Sequence, residues 1–236
     1  MKIDKVISKL ECGRRDRQED AFLSQPESGL FVVSDGFGGK GPGEKAAKLA
    51  CESVGRFLEK EARDRDATLP FVLKPYYSLA GNVLLNAIVY ANSRIISEFK
   101  KNKSNGRGGA SVCAGFLDHH VFAFASFGTC SVELIRDGVK KEIVTPRSYA
   151  RLLDPTGGLD QHPSYQFPVV ALGLLEDIEP EIYEMHVEPG DWIILRTDGG
   201  VLNSDSTKEY VAQLEDPAQS IGSQDNGALV AIRFGS

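Results

Sequence analysis

Histidine and cysteine are scarce and scattered, with four of each among 236 residues and no C-x-x-C pair. Cys12, Cys51, Cys113 and Cys130 stand far apart, which excludes zinc ribbons and dithiol redox motifs and leaves reduced packing residues as their reading. His119, His120, His162 and His186 also miss metal-ligand spacing, and the adjacent pair, set between two strand-like runs, reads as a hairpin tip. Positive charge is short as well: 27 Lys and Arg face 33 Asp and Glu, a formal charge of -6, without the basic footprint that nucleic-acid binding requires. No apolar run is long enough for an export signal or a membrane span, and the opening MKIDKVISKL carries charges throughout. The expectation is a soluble cytoplasmic chain with neither a nucleic-acid nor a membrane partner. Internal repeats, low-complexity tracts and composition breaks are missing too, so one domain over 1–236 is expected.

What is present is an ordinary globular balance, 42% apolar and 25% charged, which excludes intrinsic disorder. Short strand-like runs occur at Ile3 to Ser8, Ala21 to Leu23, Leu30 to Ser34, Ser111 to Leu117, Val121 to Phe127 and Val132 to Arg136. Others follow at Ile143 to Val144, Ile182 to Val187, Trp192 to Arg196 and Ala228 to Phe234. Turn pairs such as Asp137-Gly138 and Pro189-Gly190 join them, which favours antiparallel hairpins over crossover units. Two helices are predicted. From about Gly43 to Arg63 the stripe is Ala47, Ala50, Val54, Phe57 and Leu58; from about Pro75 to Lys101 it is Leu84, Ile88, Ala91, Ile95 and Phe99. KSNGRGG at 103–109 reads as a mobile loop, and Pro146 to Pro168 has neither period and reads as a surface excursion. Many strands with a few added helices make an α+β sandwich.

Acidic side chains recur where the strand-like runs end. Glu19-Asp20, with Arg15 upstream, leads into Ala21; Asp35-Gly36 follows Leu30 to Ser34; Asp198-Gly199-Gly200 follows Trp192 to Arg196; Asp225-Asn226 precedes Ala228. A carboxylate at a strand terminus beside glycine sits on a rigid element while the backbone can approach a ligand closely. Converging carboxylates repel unless cations lie between them, and an all-oxygen set without His or Cys selects Mg²⁺ or Mn²⁺. Two such ions about 4 Å apart lower the pKa of a bridging water and hold a phosphoryl oxygen for in-line attack, the chemistry of phosphate-ester hydrolysis. Arg15 would then take two phosphate oxygens in its planar fork. Taken singly, Asp-Gly is a common turn and Glu19-Asp20 an ordinary solvated face. Only the ordered set points to a site.

That set, RRDRQED, SDGFGGKGPGE, GGAS, GTCS, TDGG and QDN, resembles the motif series of the metal-dependent protein phosphatases, the type 2C family, over residues 12 to 234. The family pattern is R-x-x-x-[EQ]-D, D-G-x-G-G with a G-E opening a helix, G-[ST]-T, G-D-S-R, S-D-G and D-N before the last strand. The resemblance implies a four-layer αββα sandwich, two packed antiparallel sheets flanked by helices. It implies that Asp35 bridges two Mg²⁺ or Mn²⁺ ions, that the Gly36 carbonyl binds one, and that Asp198 and Asp225 complete the coordination. Glu19 would act through metal-bound water, Asp20 would support the centre indirectly, and Arg15 would hold the substrate phosphate. Arg15, Asp35 and Asp198 are thus the catalytic candidates, and the substrate is phosphoserine or phosphothreonine in a protein. About 145–170 corresponds to the family's flap, where Tyr149, Arg151, Tyr165 and Gln166 are candidates for substrate contact. A monomer is expected.

The departures carry equal weight. Gly128-Thr129-Cys130-Ser131 replaces G-D-S-R, so the aspartate that helps bind a third metal is Thr129 here, which casts doubt on a third ion. Gln18 stands where Asn is commoner, and Phe37 where some relatives carry a histidine proposed as general acid, so leaving-group protonation must come from elsewhere. Only 26 residues separate Asp198 from Asp225, which implies a lost or shortened peripheral helix. Two alternatives stay open beside protein dephosphorylation: a catalytically weak phosphatase-like binding module, for which Thr129 is the best support, and a phosphatase of a small phosphorylated metabolite.

Overall fold

Two five-stranded antiparallel sheets lie face to face in the computed structural model, which describes all residues except 39–40, 64–72, 102–107, 161, 163–164, 205 and 222–223. One sheet runs β1 (Lys2–Glu11), β10 (Gly227–Gly235), β9 (Trp192–Arg196), β6 (Ser131–Arg136) and β7 (Val139–Val144). The other runs β2 (Asp20–Gln25), β3 (Leu30–Phe37), β4 (Gly109–Asp118), β5 (Val121–Phe127) and β8 (Glu181–His186). The described helices are α1 (Pro42–Arg63), α2 (Leu79–Lys101), α3 (Tyr149–Leu153) and α4 (Thr207–Glu215).

The period-two alternation of side chains decides what each sheet face meets. In β3, Phe31 and Val33 join the core between the sheets, whereas Leu30 and Val32 face α1 and α2. In β10, Val230, Ile232 and Phe234 fill the same inter-sheet core, while Leu229 and Ala231 turn outward with Trp192, Ile194, Tyr210 and Leu214 to receive α4. Both faces are covered, and the strands therefore read as nearly continuous apolar runs. Small side chains dominate the contact with the long helices: Ala110, Ala114, Ala123 and Ala125 on the sheet meet Ala46, Ala47, Ala50, Ala87 and Ala91. Without bulk on either side, α1 and α2 can pack close to the sheet. The layers are helix, sheet, sheet, helix, the expected four-layer sandwich.

The predicted runs Val121 to Phe127 and Trp192 to Arg196 coincide with β5 and β9, and His119-His120 forms the β4–β5 turn. The second long helix begins at Leu79 rather than near Pro75, because Asn82 reaches back to hold the preceding turn. Its side chain accepts from Lys74 N at 2.7 Å and donates to the Lys74 and Tyr77 carbonyls. Between Asp198 and Asp225, where a lost or shortened helix is expected, the nine-residue α4 occupies Thr207–Glu215, capped by Ser206, whose hydroxyl accepts from Glu209 N. Residues 103–107 of the predicted loop lie outside the described residues.

At the end distal to the acidic cluster a charge pair joins β6 to the turn before β9, and Arg136 Nη2 also donates to the His186 carbonyl of the other sheet at 3.0 Å. Arg136 Nε and Nη2 donate to the two oxygens of Asp191 at 2.9 and 2.6 Å, and Asp191 is almost fully buried. Arg136→Ala leaves that carboxylate with only the Glu188 amide, and is expected to cost about 3 kcal/mol in urea unfolding without altering activity.

Candidate active site

The strand alternation that fills the core also aims the acids. Phe31, Val33 and Asp35 share the inward face of β3, and Asp20 pairs directly with Asp35 across the β2–β3 ladder, so both carboxylates enter the mouth of the inter-sheet space. From the opposite sheet, β9 ends in Thr197-Asp198, and β10 is entered through Asp225-Asn226. Thr197 N donates to Ala228 O at 3.0 Å and the Thr197 hydroxyl to Asp20 Oδ2 at 2.7 Å, which joins the two sheets at this end. A Cβ on Gly199 would lie 1.8 Å from the Asn226 carbonyl oxygen, so only glycine lets the segment after Asp198 pass that close to the segment carrying Asp225.

Asn226 closes the arrangement. Its side chain accepts from Glu19 N at 2.8 Å and donates to the Cys12 and Arg17 carbonyls at 2.9 and 2.8 Å, so one amide fixes the loop that carries Arg15 and Glu19. The result is a cleft of about 460 Å³ whose lining includes Arg15, Arg17, Glu19, Asp35, Gly36, Asp198, Asp225 and Asn226, with Gln166, Phe167 and Pro168 on the flap side. Asp20 lies beneath it, 3% exposed. The structure thus brings all seven sequence-predicted site residues to one place. Of the four flap candidates, only Gln166 lines the cleft. Arg151 is held inside the excursion by Asp160 and Glu142, and the Tyr165 ring packs on His162.

The electrostatics are those of crowded like charges. Burial, then the charge of Asp198 and Asp20, holds Asp35 well above the ordinary carboxylate range. Burial pushes Asp20 up to about 7 against the opposing Thr197 hydrogen bond, and burial with the Asp225 charge pushes Asp198 up to about 6. Burial also raises Glu19, whose Oε1 is sequestered without a hydrogen-bond partner. Arg15 Nη2 donates to Asp225 Oδ2 at 2.5 Å, and Thr129 Oγ1 donates to Asp35 Oδ2 at 3.3 Å.

Among the described residues no three acidic, His or Cys side chains close on a single point at ligand spacing. The acids are spread across one cleft, with Arg15 engaging Asp225 and Thr129 engaging Asp35. Their chemistry nonetheless fits hard divalent cations: the donors are all oxygens, they repel one another, and one buried carboxylate oxygen is orphaned. Thr197, Asn226 and Ser111, which organise the acids, were not among the predicted site residues. Asn226 stood in the D-N motif, Thr197 immediately before Asp198 and Ser111 at the end of GGAS, so motif membership was their signal.

The two-sheet sandwich with outer helices is the fold of solved PPM-type Ser/Thr phosphatases. The chain shares that fold with bacterial Ser/Thr phosphatases over nearly its whole length. The structure of the Mycobacterium tuberculosis serine/threonine phosphatase PstP/Ppp superposes with a TM-score of 0.77 at 20% identity, covering 98% of this chain and 99% of that one. A structure of the PstP catalytic domain in complex with two manganese ions gives 0.75 at 20% identity, with 98% of each chain covered. In sequence, the chain is 23% identical over 219 residues to a Streptococcus pyogenes serotype M6 protein provisionally named as a type 2C protein phosphatase, covering 89% of this chain and 84% of that one. No protein-family model matches the chain.

Proposed function

We propose that this chain is a Mg²⁺- or Mn²⁺-dependent phosphatase that hydrolyses phosphoserine and phosphothreonine in proteins. The observation that carries the reading is the convergence of Asp20, Asp35, Asp198 and Asp225 from both sheets at one mouth, beside Arg15. Asp35, Asp198, Asp225 and the Gly36 carbonyl are the groups suited to hold two divalent ions, with Glu19 and Asp20 acting less directly. When bound, such ions supply Lewis acidity toward a phosphoryl oxygen and activation of water. Arg15, more than half exposed at the rim, is placed to bind two phosphate oxygens and orient the ester. Asn226 and Thr197 keep the loop and strand ends from moving during that task.

Phe167, 65% exposed, and Pro168 give the cleft an apolar border, which favours a peptide over a small metabolite as the group carrying the phosphate. The reading takes 1–236 as one catalytic domain, with about 145–170 as its flap, working as a cytoplasmic monomer without a nucleic-acid or membrane partner. No described helix is long and apolar enough to cross a membrane.

The test is phosphate release from phosphothreonine peptides and from an aryl phosphate, with Mn²⁺ and with chelator. Metal-dependent turnover on peptides supports the proposal, and no turnover on any ester defeats it. Arg15→Ala should lower kcat/KM on the peptides by about 10- to 100-fold, the loss of a charge-assisted contact to phosphate.

A further inference from the structure

Thr129 occupies the position at which the motif series carries an aspartate, and its surroundings give it a task of its own. It follows β5, is 2% exposed, and its Oγ1 lies 2.9 Å from Ser111 Oγ and 3.3 Å from Asp35 Oδ2. A hydroxyl has one proton, and an ionised carboxylate can only accept. When Thr129 donates to Asp35, Ser111 must therefore donate to Thr129, and the pair forms a directional relay ending on Asp35. Ser111 is the cross-strand partner of Asp35 in the β3–β4 ladder, and its backbone is pinned by Ser34 Oγ, which donates to Ser111 O at 2.8 Å. A Cβ on Gly128 would lie 2.5 Å from Ser111 Oγ, so the glycine before Thr129 makes the room that the relay needs.

Charge gives the relay a second consequence. Fully ionised, as cation binding would require, Glu19, Asp20, Asp35, Asp198 and Asp225 set against Arg15 carry four net negative charges, while Asp16 and Arg17 at the rim offset each other. Two divalent ions neutralise four charges. An aspartate at 129 would press a further carboxylate against Asp35 and call for an additional cation, whereas the Thr129 hydroxyl supplies a donor and no charge.

We propose that Thr129, oriented by Ser111, is a positioning residue that locks Asp35 Oδ2 and limits the centre to two divalent ions. This rests on the metal-dependent reading above. The experiment is calorimetric titration of Mn²⁺ into the wild-type chain and into Thr129→Ser, Thr129→Val, Thr129→Asp and Ser111→Ala. The expected results are two ions for wild type and for Thr129→Ser at equal affinity, and about tenfold weaker uptake for Thr129→Val and Ser111→Ala, since a hydrogen bond to a charged group is lost or loosened. Thr129→Asp should take up a third ion.

Three ions in the wild type, unchanged affinity in Thr129→Val, or an unchanged count in Thr129→Asp would overturn the inference while leaving a metal-dependent phosphatase in place. No Mn²⁺ uptake by the wild type would overturn both. Should circular dichroism show Thr129→Val unfolded, Ser111→Ala decides the matter: weakened uptake supports the relay and wild-type affinity refutes it.

Discussion

Asp198→Ala is expected to reduce phosphate release by at least about 10³-fold, some 4 kcal/mol of transition-state stabilisation, and at the same time to stabilise the metal-free protein. The two effects have one cause. Asp198 is half-buried just past the end of β9, and desolvation with the neighbouring Asp225 charge pushes its pKa up to about 6. Above that pH the folded chain holds an ionised group that would be better solvated in the unfolded chain. Moving a carboxylate from 3.8 to about 6 corresponds to a penalty of order 3 kcal/mol. Alanine removes the penalty and loses the hydrogen bond from the Gly199 amide, for a net gain of about 1–2 kcal/mol. Thermal unfolding in chelator near pH 8 reads the gain, and phosphate release with Mn²⁺ reads the loss. A variant that unfolds earlier than wild type in chelator would show that Asp198 is a structural group rather than one poised for a cation.

The second large effect concerns pH and metal together. In the unfolded chain these aspartates titrate near 3.8, whereas in the folded chain burial holds Asp20 at about 7, Asp198 at about 6 and Asp35 well above the ordinary range. Between those values the folded state binds more protons than the unfolded state, so unfolding free energy falls as pH rises. Below 3.8 both states are protonated and the penalty vanishes; above about 7 it is fully in force, and Asp20 alone accounts for something of order 4 kcal/mol. Glu44, Glu98, Asp154 and Glu176, lowered mainly by side-chain hydrogen bonds, act in the opposite sense but lie on the surface, where solvent screens them.

The metal-free protein should therefore melt at higher temperature near pH 5 than near pH 8. Excess Mn²⁺ should reverse that order, because a cation requires the ionised carboxylates and contributes about 4 kcal/mol at a thousand times its Kd. Scanning calorimetry at the two pH values, with chelator and with Mn²⁺, checks both halves. A metal-free melting temperature that climbs between pH 5 and pH 8 would contradict the crowded-acid description.

Much of the architecture was readable from the sequence because both sheets are covered on both faces, which leaves long apolar signatures such as Phe122 to Phe127 and Trp192 to Leu195. The misses fall where that signature is thin. Strand β7 was read only at Ile143 and Val144, since Val139 to Glu142 are exposed and have no buried face to alternate toward; pairing with β6 holds them. Helix α4 buries only Tyr210 and Leu214, too few to print a stripe, and α3 is barely more than one turn.

The acids of the candidate site were legible because each stands at a strand end, a feature local in sequence. Their partners were not. Thr197 meets Asp20 across 177 residues, Asn226 meets Glu19 across 207, and Thr129 meets Asp35 across 94, and no periodicity encodes such distant matches.

The place of β10 bears on how the protein comes into being on the ribosome. This strand lies between β1 and β9, and the turn leading into it carries Asp225 and Asn226. Arg15, Glu19, Asp20 and Asp35 are synthesised early, yet the amide that fastens their loop emerges only with Asn226. Until Asn226 and β10 are made, a nascent chain thus exposes an unfastened acidic half-site and an unpaired β1. Pairing of such distant segments is slow, so the cleft should be completed late in folding.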